Sequence, residues 1–192
     1  MQRKEQLANA IKYISWGYIM LYFNINLGTI DILPAWWSYL WLFQTGIQEG
    51  LAKEEESVRL LKPLSLILGI YNLITWFMTM FSIPSDVFII TEFMSVIALY
   101  FHFQLLTNLA TIAGKYSCFQ EKSLLHLRTI HTILMTVLTF TVHFEEIYWL
   151  SLGIIVVQVV IMICICVVLR NFKRAIEELP ESAFYEPNIE NE

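Results

Sequence analysis

Long apolar stretches and short polar breaks alternate along the whole chain, and the apolar stretches are too long for strands. Six of them predict six helices, at residues 11–27, 34–51, 61–81, 86–112, 124–144 and 147–169, the last continuing as an amphipathic segment to residue 179. Crossing a hydrocarbon core takes about 20 apolar residues at 1.5 Å rise each, so each helix is a predicted span. The second is strongly apolar only over 33–47, which is short. The fourth, at roughly 40 Å, is long and should tilt or project. The breaks carry turn chemistry: Gly28-Thr29-Ile30-Asp31, Ser82-Ile83-Pro84-Ser85-Asp86, and Glu145 with Glu146. Pro34 and Pro63 suit first helical turns, where a missing N–H costs nothing. The longest internal loop is expected at 114–122, and Pro180 stops the last helix.

Charge adds sidedness. All 12 Lys and Arg fall in four clusters: Arg3, Lys4 and Lys12; Lys53, Arg59 and Lys62; Lys115, Lys122 and Arg128; Arg170, Lys173 and Arg174. Basic loops stay on the cytoplasmic side. The expected fold is therefore all-α, an integral membrane bundle of six transmembrane helices with both termini cytoplasmic. Residues 1–179 form its single domain and 180–192 an acidic, disordered cytoplasmic tail. Lys53-Glu54-Glu55-Glu56 reads as a solvated charge run. The first apolar stretch is too long for a signal peptide and no small-x-small site follows it, so it is expected to stay as a helix. Trp36, Trp37, Trp76 and Trp149 fall near predicted outer ends, where an aromatic belt belongs.

Composition agrees. The chain has 192 residues, 57% hydrophobic and 15% charged, against about 25% charged in soluble domains. Six spans leave no room for a second folded domain. A net charge of −5 with no basic patch apart from the helix flanks speaks against nucleic acid. The expected location is the cell membrane, multi-pass. The expected partner is the bilayer, with room for a membrane-protein partner or a second copy. Cys118, Cys164 and Cys166 have neither zinc nor redox-pair spacing, and no metal or cofactor site is expected. There is no HExxH, GxSxG or phosphate-binding glycine loop.

Glu92 is the most informative single residue. It lies about six residues, roughly 9 Å, into the fourth helix, where an acid needs a partner or a proton. It reads either as a cation or proton site open to the outside or as a structural hydrogen bond near the interface. His102 shares its face but lies about 15 Å further in, so the two do not touch. In the fifth helix Thr129, Thr132, Thr136, Thr139 and His143 share one face, and His131 lies off it. The plain reading of that stripe is a packing seam; the sharper one is the wall of a polar path. Asp31, Asp86, Glu145, Glu146 and His143 gather on the outer face beside Trp and Tyr rings, which suits an organic cation. The positive-inside rule alone would also leave those acids there. Gly46 and Gly50 form a GxxxG, weakened as a contact signal by Gln48 and Glu49 between them. Asn24, Asn26, Gln44, Asn72 and Gln158 suit interhelical hydrogen bonds.

The run from Asn24 to Pro34, followed by Ser38-Tyr39-Leu40, resembles a group of small bacterial multi-pass membrane proteins of unknown function. In that group an Asn-x-Gly-x-x-Asp-x-Leu-Pro turn joins the first two helices and a Gly-Tyr pair follows. Ser38 stands here where glycine is usual. The resemblance covers the first hairpin and, loosely, the order of later spans, and it implies no activity. In size and expected topology the chain is also similar to substrate-capture subunits of vitamin transporters, although the first helix lacks their AxxxA spacing.

The function expected first is a small transporter or transporter-associated subunit for a small or cationic solute, using Glu92, Asp31, His143, Glu145 and Trp36. A non-catalytic membrane scaffold or signalling partner is the alternative, and a membrane-embedded enzyme stands third. The topology is directly testable. Single cysteines at Thr29, Ser85 and Glu146 should react with an impermeant thiol reagent outside intact cells, and cysteines at Lys53 and Lys115 should not. Labelling at Lys115 from outside would sink the six-span arrangement.

Overall fold

The computed structural model describes residues 2–22, 26–27, 30–31, 34–81, 83, 88–141 and 148–184. Within these, the side chains at 26–27, 30–31, 88, 140–141, 148–152 and 154–155 fall outside the description. Helix α1 is Gln2–Tyr22. Two-residue strands β1 (Asn26–Leu27) and β2 (Ile30–Asp31) pair antiparallel, Asn26 with Asp31 and Leu27 with Ile30. Helix α2 runs over 35–54, and a 3₁₀ turn at Glu56–Leu60 leads into α3, Leu61–Met80. Then follow α4 (Phe88–Lys115), α5 (Gln120–Thr141) and α6 (Tyr148–Glu178), with a closing 3₁₀ turn at Glu181–Phe184.

Each helix packs on the next, and α6 returns to α1, so the six form a closed ring. Inward residues recur at helical spacing: Leu7, Ile11, Ile14 and Tyr18 on α1, and Ile161, Ile165, Leu169, Phe172 and Ile176 on α6 are all buried. The outward faces are apolar as well. Ile67, Ile70, Ile74 and Phe77 line the outside of α3, and Val156, Val160, Ile163 and Val167 the outside of α6, at the same three-four spacing. A helix apolar all round suits a bilayer and not a water-facing surface. Three helices are long and apolar enough to cross a membrane, over Glu56–Met80, Ile89–Lys115 and Val156–Glu178. The charged N-terminal halves of α1 and α5 dilute their apolar character, with Arg3, Lys4, Glu5 and Lys12 in one and Glu121, Lys122 and Arg128 in the other.

Helix α2 is built for close contact. Its buried residues Tyr39, Phe43, Ile47 and Leu51 repeat every four positions. In a pure α-helix that stripe would drift by about 40° per step. Wider π turns at Ser38–Phe43 and Ile47–Leu51 alternate with α turns and offset the drift. The Gly46 and Gly50 pair is a close contact after all. A Cβ at Gly50 would stand 2.6 Å from the Gln6 carbonyl oxygen and 2.6 Å from the Ala10 Cβ, and one at Gly46 would meet Ile14 at 2.8 Å. Gln48 and Glu49 are both exposed, so the polar residues between the glycines do not interfere with the seam.

The loop expected at 114–122 is much shorter. Helix α4 continues to Lys115 and closes with Ser117 at φ 52°, in the left-handed region. The Cys118 N–H donates to the Ala113 carbonyl (2.8 Å) and the Ser117 N–H to the Gly114 carbonyl (2.9 Å), a Schellman closure. Helix α1 likewise begins well before residue 11, because its first turns are held by packing and by charge.

That charge centres on Glu54, which is not solvated: its side chain is 1% exposed. Arg3 grips it with both arms, Nε to Oε1 at 2.7 Å and Nη2 to Oε2 at 3.1 Å. Lys115 Nζ (3.0 Å) and the Tyr116 hydroxyl (2.8 Å) also donate to Oε2. Arg3 Nη1 donates to the Phe184 carbonyl (3.2 Å) and Lys4 Nζ to the Leu179 carbonyl (2.6 Å). The Phe184 ring is buried against Tyr116. One carboxylate thus ties the starts or ends of α1, α2 and α4 to the end of the chain. Burial alone would raise the Glu54 carboxyl, but hydrogen bonds from Arg3, Tyr116 and Lys115 and the Lys115 charge outweigh it and hold it below the usual carboxylate range. Burial, then the neighbouring Glu54, pushes the Tyr116 phenol up, so it stays a donor.

Two outcomes follow. Gly50→Leu should destabilise the protein by about 1–3 kcal/mol through overpacking, measured by denaturant unfolding in detergent, while Gly153→Ala, with nothing within 4 Å of its added Cβ, should be close to neutral. Glu54→Gln should cost about 1–3 kcal/mol at neutral pH. Because the folded carboxyl is depressed, its stabilisation is present above the unfolded glutamate value and lost as pH falls through the lower folded one. The gap in melting temperature between wild type and Glu54→Gln should therefore close on acidification; a constant gap would show that the ionised carboxylate is not what Arg3 and Lys115 hold.

Candidate functional site

The interior of the ring holds a polar cluster drawn from five of its helices. Tyr18 and Tyr22 come from α1, one turn apart, and Tyr39 from the first π turn of α2. His102 comes from α4, His131 from α5 and Gln158 from α6. Each occupies an inward position of its helix: Tyr18 continues the stripe of Leu7, Ile11 and Ile14, and Tyr39 heads that of Phe43, Ile47 and Leu51.

His102 sits between two phenols, its Nε2 3.0 Å from the Tyr39 hydroxyl and its Nδ1 3.4 Å from the Tyr18 hydroxyl. A neutral imidazole donates at one nitrogen and accepts at the other. One tautomer therefore accepts from Tyr39 and donates to Tyr18, and the other does the reverse. Phe43 and Phe101 close around the ring edge-on, at 6.1 and 5.2 Å between centroids. The His131 ring stands 5.7 Å from that of His102, nearly perpendicular to it.

Gln158 organises the second half. Its amide Nε2 donates to His131 Nδ1 (2.7 Å) and to the Tyr22 hydroxyl oxygen (3.4 Å). His131 then carries its proton on Nε2. That Nε2 and the Gln158 Oε1 are both buried without a hydrogen-bond partner. A buried donor or acceptor left without a partner costs about 1–3 kcal/mol. Among the described residues no three His, Cys, Asp or Glu side chains meet so as to hold a metal ion.

A cavity of about 180 Å³ reaches the cluster from the side. It lies among α1–α4, with Asn72, Thr91 and Ser95 on its walls and Tyr39 lining it too. The Tyr71 hydroxyl donates to Thr91 Oγ1 (3.2 Å), and Ser95 Oγ donates to the Thr91 carbonyl (3.0 Å). Tyr39 is thus both cavity wall and hydrogen-bond partner of buried His102.

The residues named from sequence fare differently. Glu92 is half-buried on α4, next in sequence to the cavity residue Thr91. Trp36 packs edge-on against Trp37 and Trp76, at 5.5 and 6.0 Å between centroids. The Asp31 backbone pairs with Asn26, and its side chain lies outside the described residues, as do His143 and Glu145 entirely. Thr129, Thr132, Thr136 and Thr139 each donate to a carbonyl four residues back in their own helix, the self-satisfied geometry that lets threonine sit against neighbours or lipid. Gln44 and Gln158 make the interhelical bonds expected of them, the former to the Lys62 carbonyl (2.7 Å). Asn72 bonds within its own helix. Sequence reasoning missed His131 and all three tyrosines as a group. The available signal was that each falls on its helix's inward spacing.

No family model matches the chain, and no curated protein or solved structure is significantly similar to it.

Proposed function

We propose that the chain crosses the membrane six times with both termini in the cytoplasm, and that it acts as a small transporter or transporter-associated subunit for a small polar or cationic solute. The observation that carries this is Tyr39, shared between an accessible cavity and the buried His102. Transporter sites commonly lie deep among helices and use discontinuous helical geometry, and the π turns of α2 supply such a departure at Tyr39. Histidines within membrane helices commonly serve proton relays.

In this scheme the solute occupies the cavity and hydrogen-bonds Tyr39. A solute that accepts from Tyr39 turns the phenol proton away from His102. This favours the His102 tautomer that donates from Nε2 to Tyr39 and accepts at Nδ1 from Tyr18; reaching it takes one proton released from Nδ1 and one taken up at Nε2, so the ring stays neutral overall. Occupancy is thereby passed from α2 through α4 to α1 as a reversal of hydrogen-bond sense, with no charge created in the apolar interior. Glu92, next in sequence to the cavity residue Thr91, would favour a cation. Asp31, His143, Glu145 and Trp36 would form the outer entrance.

The scaffold alternative has one observation in its favour: the Glu54 cluster holds the basic end of the bundle and the docked Phe184 as one fixed surface. The two separate experimentally. Native mass spectrometry of the protein released from mild detergent should show a retained small solute. Retention should fall about ten-fold, or about 1.4 kcal/mol, in Tyr39→Phe, and further in His102→Ala. Wild-type retention in both variants, or activity that survives them but is lost on deleting residues 181–192, rules the transport reading out.

A further inference from the structure

A second concavity, unrelated to the buried cluster, runs along the outside of the bundle between α1 and α6. It has a volume of about 740 Å³ and two chemically distinct parts. At the basic end it is lined by Lys12 and Ser15 of α1 and by Arg170, Lys173 and Arg174 of α6. Lys173 is paired with Glu177 at 2.6 Å. Lys12, Arg170 and Arg174 are exposed and make no ion pair or hydrogen bond with any described residue. Three cations without a partner among the described residues therefore line one groove, beside the Lys173–Glu177 pair. The other part is apolar: Trp16, Ile163 and Val167 form its walls and are 45%, 46% and 51% exposed. From Arg170 to Ile163 the helix rises about 10 Å, so the apolar walls continue from the cations toward the middle of the bundle.

We propose that this groove binds an anionic phospholipid of the leaflet at the basic end of the bundle. The phosphate lies among Lys12, Arg170 and Arg174, Ser15 offers a hydroxyl beside it, and one acyl chain runs along Trp16, Ile163 and Val167. The charge pattern favours this occupant over a zwitterionic lipid, because three cations stand without a counter-ion among the described residues and basic pockets between membrane helices select acidic headgroups. It favours a lipid over a soluble anion, because a free phosphate would use only the basic end and leave the apolar walls uncovered.

The probe is a nanodisc of phosphatidylcholine and phosphatidylglycerol in about equal parts, with the lipids retained by the ejected full-length protein counted by native mass spectrometry. Wild type should retain phosphatidylglycerol in excess of its share. Each cation removed in the series Arg170→Gln, Lys12→Gln and Arg174→Gln should lower that preference about five-fold. Val167→Trp, which fills the apolar wall without changing charge, should lower it too. Arg59→Gln with Lys62→Gln, which removes two exposed cations from another part of the basic end, should leave it unchanged. The proposal is overturned if the Arg170 and Lys12 variants keep the wild-type preference, if Val167→Trp keeps it, or if the Arg59 and Lys62 pair lowers it as much as the groove variants do.

Discussion

Apolar side chains on the outside of α3 and α6 leave the bundle's uncharged polar side chains one place to go. Hydrocarbon offers no hydrogen bonds, so every polar group must be met by its own helix or by another. The threonines of α5 take the first route and bond to their own backbone. The two histidines, the tyrosines and Gln158 take the second, and the inside of a closed ring is where their helices can share them. The polar cluster and the apolar exterior are thus two sides of one constraint.

Charge is handled at the other end of the molecule, and by different means. Glu54 is buried, yet it collects a bidentate arginine, a lysine and a phenol. Removing a carboxylate from water is offset only when donors of this number and geometry replace the water. The same residues close the ring at its basic end, since Arg3 and Tyr116 also hold Phe184. The molecule therefore has a hydrogen-bonded polar interior and a firmly ion-paired end, and Lys12, Arg170 and Arg174 line the groove between α1 and α6.

Much of the architecture was legible in the sequence, and particular residues show where legibility ended. The alternation of apolar runs and turn residues placed six helices, and Pro34 does stand at the start of α2. Loop 116–119 was read too long because Gly114 resembles a helix end, whereas the closure lies at Ser117, where no glycine marks it. Glu54 was read as solvated because a Lys-Glu-Glu-Glu run looks the same whether or not a distant Arg3 and Lys115 reach back to it. Gly46 and Gly50 were discounted for the polar residues between them, although what matters is which face of α2 meets α1. Among the candidate site residues, Glu92 follows the cavity residue Thr91 in sequence and Trp36 lies in an aromatic cluster, while neither belongs to the histidine cluster. His131 was set aside for lying off the threonine stripe; its inward position is a different face of the same helix.

The sequence by itself determined the number of helices, because hydrophobic runs and turn residues act locally; it read all six as spans, and three of the described helices are long and apolar enough to cross a membrane. Its clustered cations set the expectation of sidedness. Only the tertiary structure decided which polar side chains meet. His102, His131, Tyr39 and Gln158 come from four separate helices, and their meeting depends on the rotation of each helix within the ring. On α2 that rotation is set by π turns that no single residue announces. Local physics makes the helices, and the phase with which they close the ring makes the site.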